Sequence, residues 1–227
     1  MYKWDLFFRR LRENIFRPKR QSKDILFRLV FGNDRQALLQ LYNVLHGTAY
    51  TDPHELQIVT LDNAIYISRK NDLAFLLAGS INMYEHQSTL NPNMPVRFLI
   101  YLAQEYQLLV ESTDKSLYGS ELIPLPTPQC VVFYNGTADT PDEYEMRLSS
   151  AFSNQDVEPA AEVVVKVINI NYGHNDHLMQ GCGMLSQYAQ FVAVTREYAN
   201  KYDNREEAMN AAIEYCIGHG ILEDILR

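Results

Sequence analysis

Apolar and polar positions divide the chain into helical and strand-like stretches. Trp4, Leu6, Phe7, Phe8, Leu11 and Phe16 recur at loose helical spacing, and Pro18 closes that segment, because proline disfavours helical backbone in the residue before it. A second helix is predicted from Ser22, a plausible cap. Ile25, Leu26, Leu29 and Val30 form its stripe, and Gly32 is expected to break it. Asp34 can cap a third helix, whose Leu38, Leu41, Tyr42 and Leu45 run up to Gly47. From Leu56 the period changes. LQIVTL, AIYIS, LAFLLAG and SINMYEHQ are short, β-branched or alternating, and read as strands. The last two adjoin, with Gly79 and Ser80 available to turn, so they predict an antiparallel hairpin. After a loop punctuated by Pro92 and Pro95, helical spacing returns at Val96, Phe98, Leu99, Leu102, Ala103 and Tyr106. CVVFYNG and AEVVVKVININ read as buried strands, and YEMRLSSAF between them fits either a short helix or an edge strand. From Asp176 to Arg227 the period is helical again, with Leu178, Leu185, Tyr188 and Phe191, then Ala208, Ala211, Ala212, Tyr215 and Leu222, and Asp203 or Asn204 as a cap.

This order predicts an α/β fold with a central mixed β-sheet flanked by helices and with helical N- and C-terminal segments. At 227 residues and 47% hydrophobic, the chain suffices for one large core. Residues 22–227 are expected to form a single domain behind a basic helical N-terminal extension, residues 1–21.

Charge modifies the picture at that extension. The chain carries a net charge of −8, which argues against wrapping nucleic acid uniformly. Residues 1–28 nevertheless hold nine basic and three acidic residues, a net of +6 that leaves −14 on the remainder. Arg9, Arg10, Arg12, Arg17, Lys19 and Arg20 are where contact with DNA phosphates would begin; the other reading is the wet side of a helix and its loop. The three cysteines, Cys130, Cys182 and Cys216, are scattered and in no CxxC pair, so they imply neither a disulfide framework nor a thiolate zinc site. No apolar run approaches the roughly 18 residues that span a bilayer. The N-terminus lacks the apolar core of a secretory signal. The expectation is a soluble, cytoplasmic protein with no membrane partner and no organic cofactor.

Candidate chemistry lies in KNDLAFLLAGSINMYEHQ. In a strand, Glu85 and Gln87 project to one face and His86 to the other. Pairing SINMYEHQ back on LAFLLAG returns Glu85 toward Asp72, so two carboxylates can meet at one end of the hairpin. Hard cations such as Mg²⁺ prefer oxygen ligands, and a bound divalent cation lowers the pKa of water and neutralises a phosphoryl transition state. The plainer reading makes both acids polar strand ends.

KNDLAFLL, YEHQST followed by NPNMPVRFLIYLA, VVFYNGT, and VININ with Gly173 and Asn175 together resemble the PD-(D/E)xK nuclease superfamily. More narrowly, they resemble its Rpn family of recombination-promoting nucleases, also described as transposases of PD-(D/E)xK type. The resemblance runs from about Lys23 to Leu222. It implies a restriction-endonuclease-like core and Mg²⁺-dependent cleavage of DNA, with Mn²⁺ as a substitute cation. By motif position Asp72 and Glu85 would be the metal ligands, and Gln87 stands where the superfamily has Lys. A neutral glutamine holds water by weaker hydrogen bonds than a charged group would. Asn71 replaces the motif's proline. Asp24 is the candidate for a further acid on a preceding helix; it is equally a first-turn acid favoured by the helix dipole. Lys70 and Arg97 flank the site as candidate phosphate contacts, with local salt bridges as the alternative.

Two competing motifs are weaker. His174 and His177 with Asp176 have metal-like spacing, yet Cys182 is the one nearby thiol and matches no zinc pattern; Asn175 or Asp176 capping a helix is the simpler account. GCGMLS lies in a helical stretch rather than after a strand, which excludes a phosphate loop.

The first expectation is therefore a DNA endonuclease of low sequence specificity, linked to recombination or transposition, in which Asp72 and Glu85 bind Mg²⁺ and Gln87 orients water. A homodimer would serve double-strand cutting. The alternative is a catalytically silent module that binds DNA or a protein through the same fold. RNA is a further substrate open to the same chemistry.

Overall fold

The computed structural model describes residues 22–59 and 73–227, with side chains from Leu26 onward. These residues divide into two compact units, one formed by residues 22–53 and 170–227 and the other by residues 54–169.

The first unit is helical. Helix α1 (Ser22–Asn33) and α2 (Arg35–His46) are separated by Asp34, whose Oδ1 accepts hydrogen bonds from the amides of Gln36 and Ala37 at 2.9 and 3.0 Å. Those bonds satisfy two of the amides that a helix start leaves without partners. Gly32 does not break α1, which runs through it to Asn33; glycine lowers helix stability but forbids no helical backbone. Gly47 ends α2 in the left-handed region at φ 62°, as a C-terminal glycine should. The C-terminal half supplies α4 (Asp176–Gly181), α5 (Gly183–Lys201), α6 (Arg205–Gly218) and α7 (Glu223–Leu226). Asn204, rather than Asp203, caps α6 through Glu206 N. Phe27 packs edge-on against Tyr188 with ring centroids 5.6 Å apart, joining α1 to α5.

The second unit is the sheet and α3 (Met94–Glu111). Among the described residues six strands, β1 (Gln57–Ile58), β2 (Leu73–Leu77), β3 (Ser80–Gln87), β4 (Thr127–Tyr134), β5 (Glu143–Arg147) and β6 (Val164–Asn169), lie in the order β1-β2-β3-β4-β6-β5. The first three are antiparallel, β3, β4 and β6 are parallel, and β5 closes the far edge antiparallel to β6. The predicted mixed sheet is present. YEMRLSSAF turns out to be both things it suggested, an edge strand followed by a 3-10 turn at Leu148–Ala151. The AIYIS segment lies outside the described residues.

The β2–β3 hairpin forms as expected, one residue out of step with the predicted turn. Leu77 pairs with Ser80, so Ala78 and Gly79 are the turn residues, at φ 49° and 76°. Positive φ at both positions is the turn whose twist suits a two-residue hairpin, and Gly79 takes it without strain.

The β3–α3–β4 connection is what lets β4 run parallel to β3. Asn93 N donates to Asn91 Oδ1 at 3.0 Å in a local turn, and Pro95 sits in the first turn of α3, where its missing N–H costs nothing. One face of α3, carrying Met94, Phe98 and Tyr101, joins a core with Ala74, Ile81, Met83, Val132, Tyr134, Val165 and Val167 from the sheet. The opposite sheet face is buried as well. There Phe75, Tyr84 and Phe133 form an edge-to-face series across three strands, with centroids 5.1 and 5.3 Å apart. Strands buried on both faces explain why these segments read as continuous apolar runs rather than as clean alternation. Among the described residues no helix is long and apolar enough to cross a membrane.

Candidate active site at the end of the central hairpin

β3 is an inner strand, and its alternation sorts its side chains. Ile81, Met83, Glu85 and Gln87 share the α3 face, while Asn82, Tyr84 and His86 belong to the other. Glu85 is therefore a carboxylate buried beneath the N-terminal end of α3, with a side chain 2% exposed. Gln87 Nε2 donates to Glu85 Oε2 at 3.3 Å, so the two residues predicted to share a face touch.

The same Oε2 accepts from Arg97 Nη2 at 2.8 Å. Arg97 lies four residues into α3, where the NPNMP turn has reversed the chain and brought the helix back over the end of β3. The guanidinium is also held by Tyr101 Oη, which accepts from Nε at 3.3 Å and Nη2 at 3.1 Å, and by Met94 Sδ at 3.2 Å from Nη1. Of the two readings of Arg97, the local salt bridge is the one present, and its partner is the candidate ligand itself. Spacing alone gave no signal of this: Arg97 and Glu85 are twelve residues apart, and only the tight loop before α3 makes them neighbours.

The surroundings are polar because three parallel strands end together. Gln87 pairs with Tyr134, and Asn135 N donates to Gln87 O at 3.0 Å. Tyr134 Oη accepts from Ala138 N at 2.9 Å, which folds the following loop back on the strand end. Tyr134 in turn pairs with Asn169, whose Nδ2 donates to Thr140 Oγ1 at 3.0 Å. Glu85, Asn135 and Asn169 are all buried. The carboxyl ends of parallel strands are where open α/β sheets commonly bind ligands. Asn135 and Asn169 stand in the segments VVFYNGT and VININ, whose spacing alone does not mark either as a site residue. Their strands' common end was the missing information.

Other candidates fall elsewhere. Asp72 and Lys70 lie outside the described residues. Leu73, next after Asp72, pairs with Tyr84, which precedes Glu85. Asp24 stands in the first turn of α1, in the helical unit, and its side chain lies outside the described residues. Arg9, Arg10, Arg12, Arg17, Lys19 and Arg20 are likewise outside them. At GHNDH, Asn175 takes the N-terminal cap position of α4 in left-handed backbone without a side-chain cap bond. Among the described residues no three His, Cys, Asp or Glu side chains come together to hold a metal ion. Glu85 is the one proposed Mg²⁺ ligand they include. Its carboxylate oxygens are the hard donors such an ion takes, with Oε2 shared between Arg97 and Gln87.

Comparison of the chain with protein-family models, with curated proteins and with solved structures returned no match.

Proposed function

We propose that this protein is a metal-dependent endonuclease of PD-(D/E)xK type, close to the Rpn family, acting on DNA with low sequence specificity. The observation that carries the reading is the contact of Glu85 with Gln87 on one face of β3, at the end of an antiparallel hairpin whose other strand begins one residue after Asp72. Asp72 and Glu85 would hold Mg²⁺. Bound there, the ion would supply Lewis-acid stabilisation of the phosphoryl group and a more acidic water. Gln87 would accept and donate neutral hydrogen bonds to the attacking water. The burial of Glu85 keeps its carboxylate from reorganising during the reaction.

A second reading has its own support. Glu85 already has a guanidinium partner, and a buried carboxylate so satisfied needs no metal. This favours a catalytically silent module that binds DNA or a protein on the same fold. Plasmid cleavage in Mg²⁺, Mn²⁺, Ca²⁺ and EDTA, beside a folded Glu85→Ala variant, separates the two. Nicking that needs Mg²⁺ or Mn²⁺ and vanishes in the variant supports the enzyme. No cleavage at high protein concentration, on duplex or single strands, refutes it.

A further inference from the structure

We propose that β5 is a dimerisation edge, at which a second copy of this chain adds its own β5 antiparallel, about a two-fold axis at Met146. The interface does not depend on the nuclease reading.

β5 ends the sheet among the described residues, with β6 on one side and no strand on the other. Its ladder is bounded by Asp142 O, which accepts from Asn169 N at 2.8 Å, and by Leu148 N, which donates to Val163 O at 2.9 Å. Bonded positions alternate along an antiparallel pair, so Asp142, Tyr144, Met146 and Leu148 bond to β6. Glu143, Glu145 and Arg147 therefore turn their amides away from the sheet, and the two glutamates their carbonyls as well. Such an edge templates another strand unless its side chains prevent it.

Here the side chains prevent every symmetric register but one. Opposed residues must face the partner in the same way, so the axis passes through a residue rather than between two. An axis at Glu143, Glu145 or Arg147 sets that residue against its own copy, and one at Tyr144 sets Glu143 against the partner's Glu145. Like charges directly opposite are destabilising. With the axis at Met146, Glu145 faces the partner's Arg147, and Arg147 faces the partner's Glu145. Within each chain Arg147 Nη2 already meets Glu145 Oε2 at 2.6 Å, and Lys166 Nζ meets Glu143 Oε2 at 2.8 Å. The four charges at the axis would then alternate in sign, with Glu143 neutralised from β6. On the α3 face, Met146 would meet its own copy and Tyr144 would meet the partner's Leu148. Tyr144 and Met146 pack against the core that contains Leu148, so this register prolongs an apolar layer. A two-fold pairing uses up the edge in both copies and closes at two.

Sedimentation velocity of the full chain, at up to about 1 mM, tests the interface. The parent is compared with Arg147→Glu and with the swap Glu145→Arg plus Arg147→Glu, which preserves the pair within each strand. Both positions are about half exposed, and far-ultraviolet circular dichroism checks that each variant folds. We expect a concentration-dependent dimer in the parent, at least about tenfold weaker in Arg147→Glu and restored in the swap. Met146→Cys should also form a disulfide-linked dimer under mild oxidation, because residues opposed at the axis lie about 4.5 Å apart between Cα atoms. Tyr144→Cys should not, since its own copy lies about 13 Å away along the strand. Cys130, Cys182 and Cys216 are buried and leave this readout clear. A parent that is monomeric throughout, a dimer indifferent to Arg147→Glu, or a folded swap that stays monomeric overturns the proposal. Cross-linking through Tyr144→Cys but not Met146→Cys overturns it as well, and if a cysteine variant fails to fold the charge series decides alone.

Discussion

Replacing Glu105 by glutamine should remove a pH-dependent weakness from the core of the sheet unit. Glu105 continues the buried stripe of α3 after Met94, Phe98 and Tyr101, is 2% exposed, and has an Oε1 with no hydrogen-bond partner among the described residues. Burial without a counter-charge disfavours its ionised form and pushes its pKa up to about 7 from an ordinary 4.5. Between those values the folded protein retains a proton that the unfolded chain has released. Stability contributed by the neutral acid is therefore fully present below pH 4.5 and is lost progressively as pH rises to about 7. At about 1.4 kcal/mol per pH unit, the full loss above pH 7 reaches about 3 kcal/mol as an upper bound. Glutamine keeps the shape and the polar end but cannot ionise, so its own burial cost is the same at every pH. Urea unfolding of both proteins at pH 5, 6, 7 and 8 isolates the effect, since the other titrating groups cancel in the difference. The expected result is a stability difference favouring Glu105→Gln that grows by about 2–3 kcal/mol from pH 5 to pH 8. A difference that stays constant with pH, or that turns against glutamine at pH 8, would refute the reasoning.

Three further predictions test the frame of the site. Ala78 takes φ 49° in the hairpin turn; Ala78→Asn, which tolerates that backbone, should raise the denaturation midpoint by about 1 kcal/mol of stability, and a lower midpoint would mean that the turn is built differently. A Cβ on Gly136 would come within 2.3 Å of Tyr134 Oη and 2.4 Å of its Cζ. Gly136→Ala should therefore cost about 1–3 kcal/mol in thermal unfolding, while Gly32→Ala, into open space on α1, should be neutral or stabilising; equal melting temperatures for the two variants would contradict this. Burial pushes the Cys130 thiol up to about 12 and Cys216 to about 11, and raises Cys182. All three should resist iodoacetamide at pH 8 in the folded protein and react promptly in urea, with prompt labelling of the native protein as the contrary result.

What could be read from the sequence was local. Asp34 and Gly47 announced the ends of α2 because capping chemistry acts within a few residues. The hairpin and the shared face of Glu85 and Gln87 followed from a period of two. The turn lies one residue earlier than Gly79 and Ser80 suggest because Ala78 gives no sign that it adopts positive φ, and Gly32 does not end α1 because a helix can carry one glycine. The site's long-range part was not legible. Arg97 meets Glu85 only because α3 folds back over β3, and Asn135 and Asn169 join the same region only because β3, β4 and β6 end side by side. Neither fact leaves a mark on the spacing of apolar residues.

Two glutamates buried on the α3 side of the sheet, Glu85 from β3 and Glu105 from α3 itself, accommodate their acids in two ways. Glu85 lies where the helix begins, close enough to solvent for an arginine to cover it with charge. Glu105 lies further along α3, on the sheet-facing stripe after Met94, Phe98 and Tyr101, and burial raises its pKa to about 7, so it keeps its proton below that pH. An acid held neutral cannot bind Mg²⁺ well, since hard cations need carboxylate oxygens. On the proposed reading, divalent-cation chemistry on this face would belong to the end of β3, where Glu85, Gln87 and Arg97 meet. Glu105→Gln should therefore leave Mn²⁺ affinity unchanged within about twofold while Glu85→Gln abolishes it, since well-separated sites act independently. A loss of Mn²⁺ binding in Glu105→Gln, with folding intact, would show that the two acids belong to one coupled network rather than to two separate solutions.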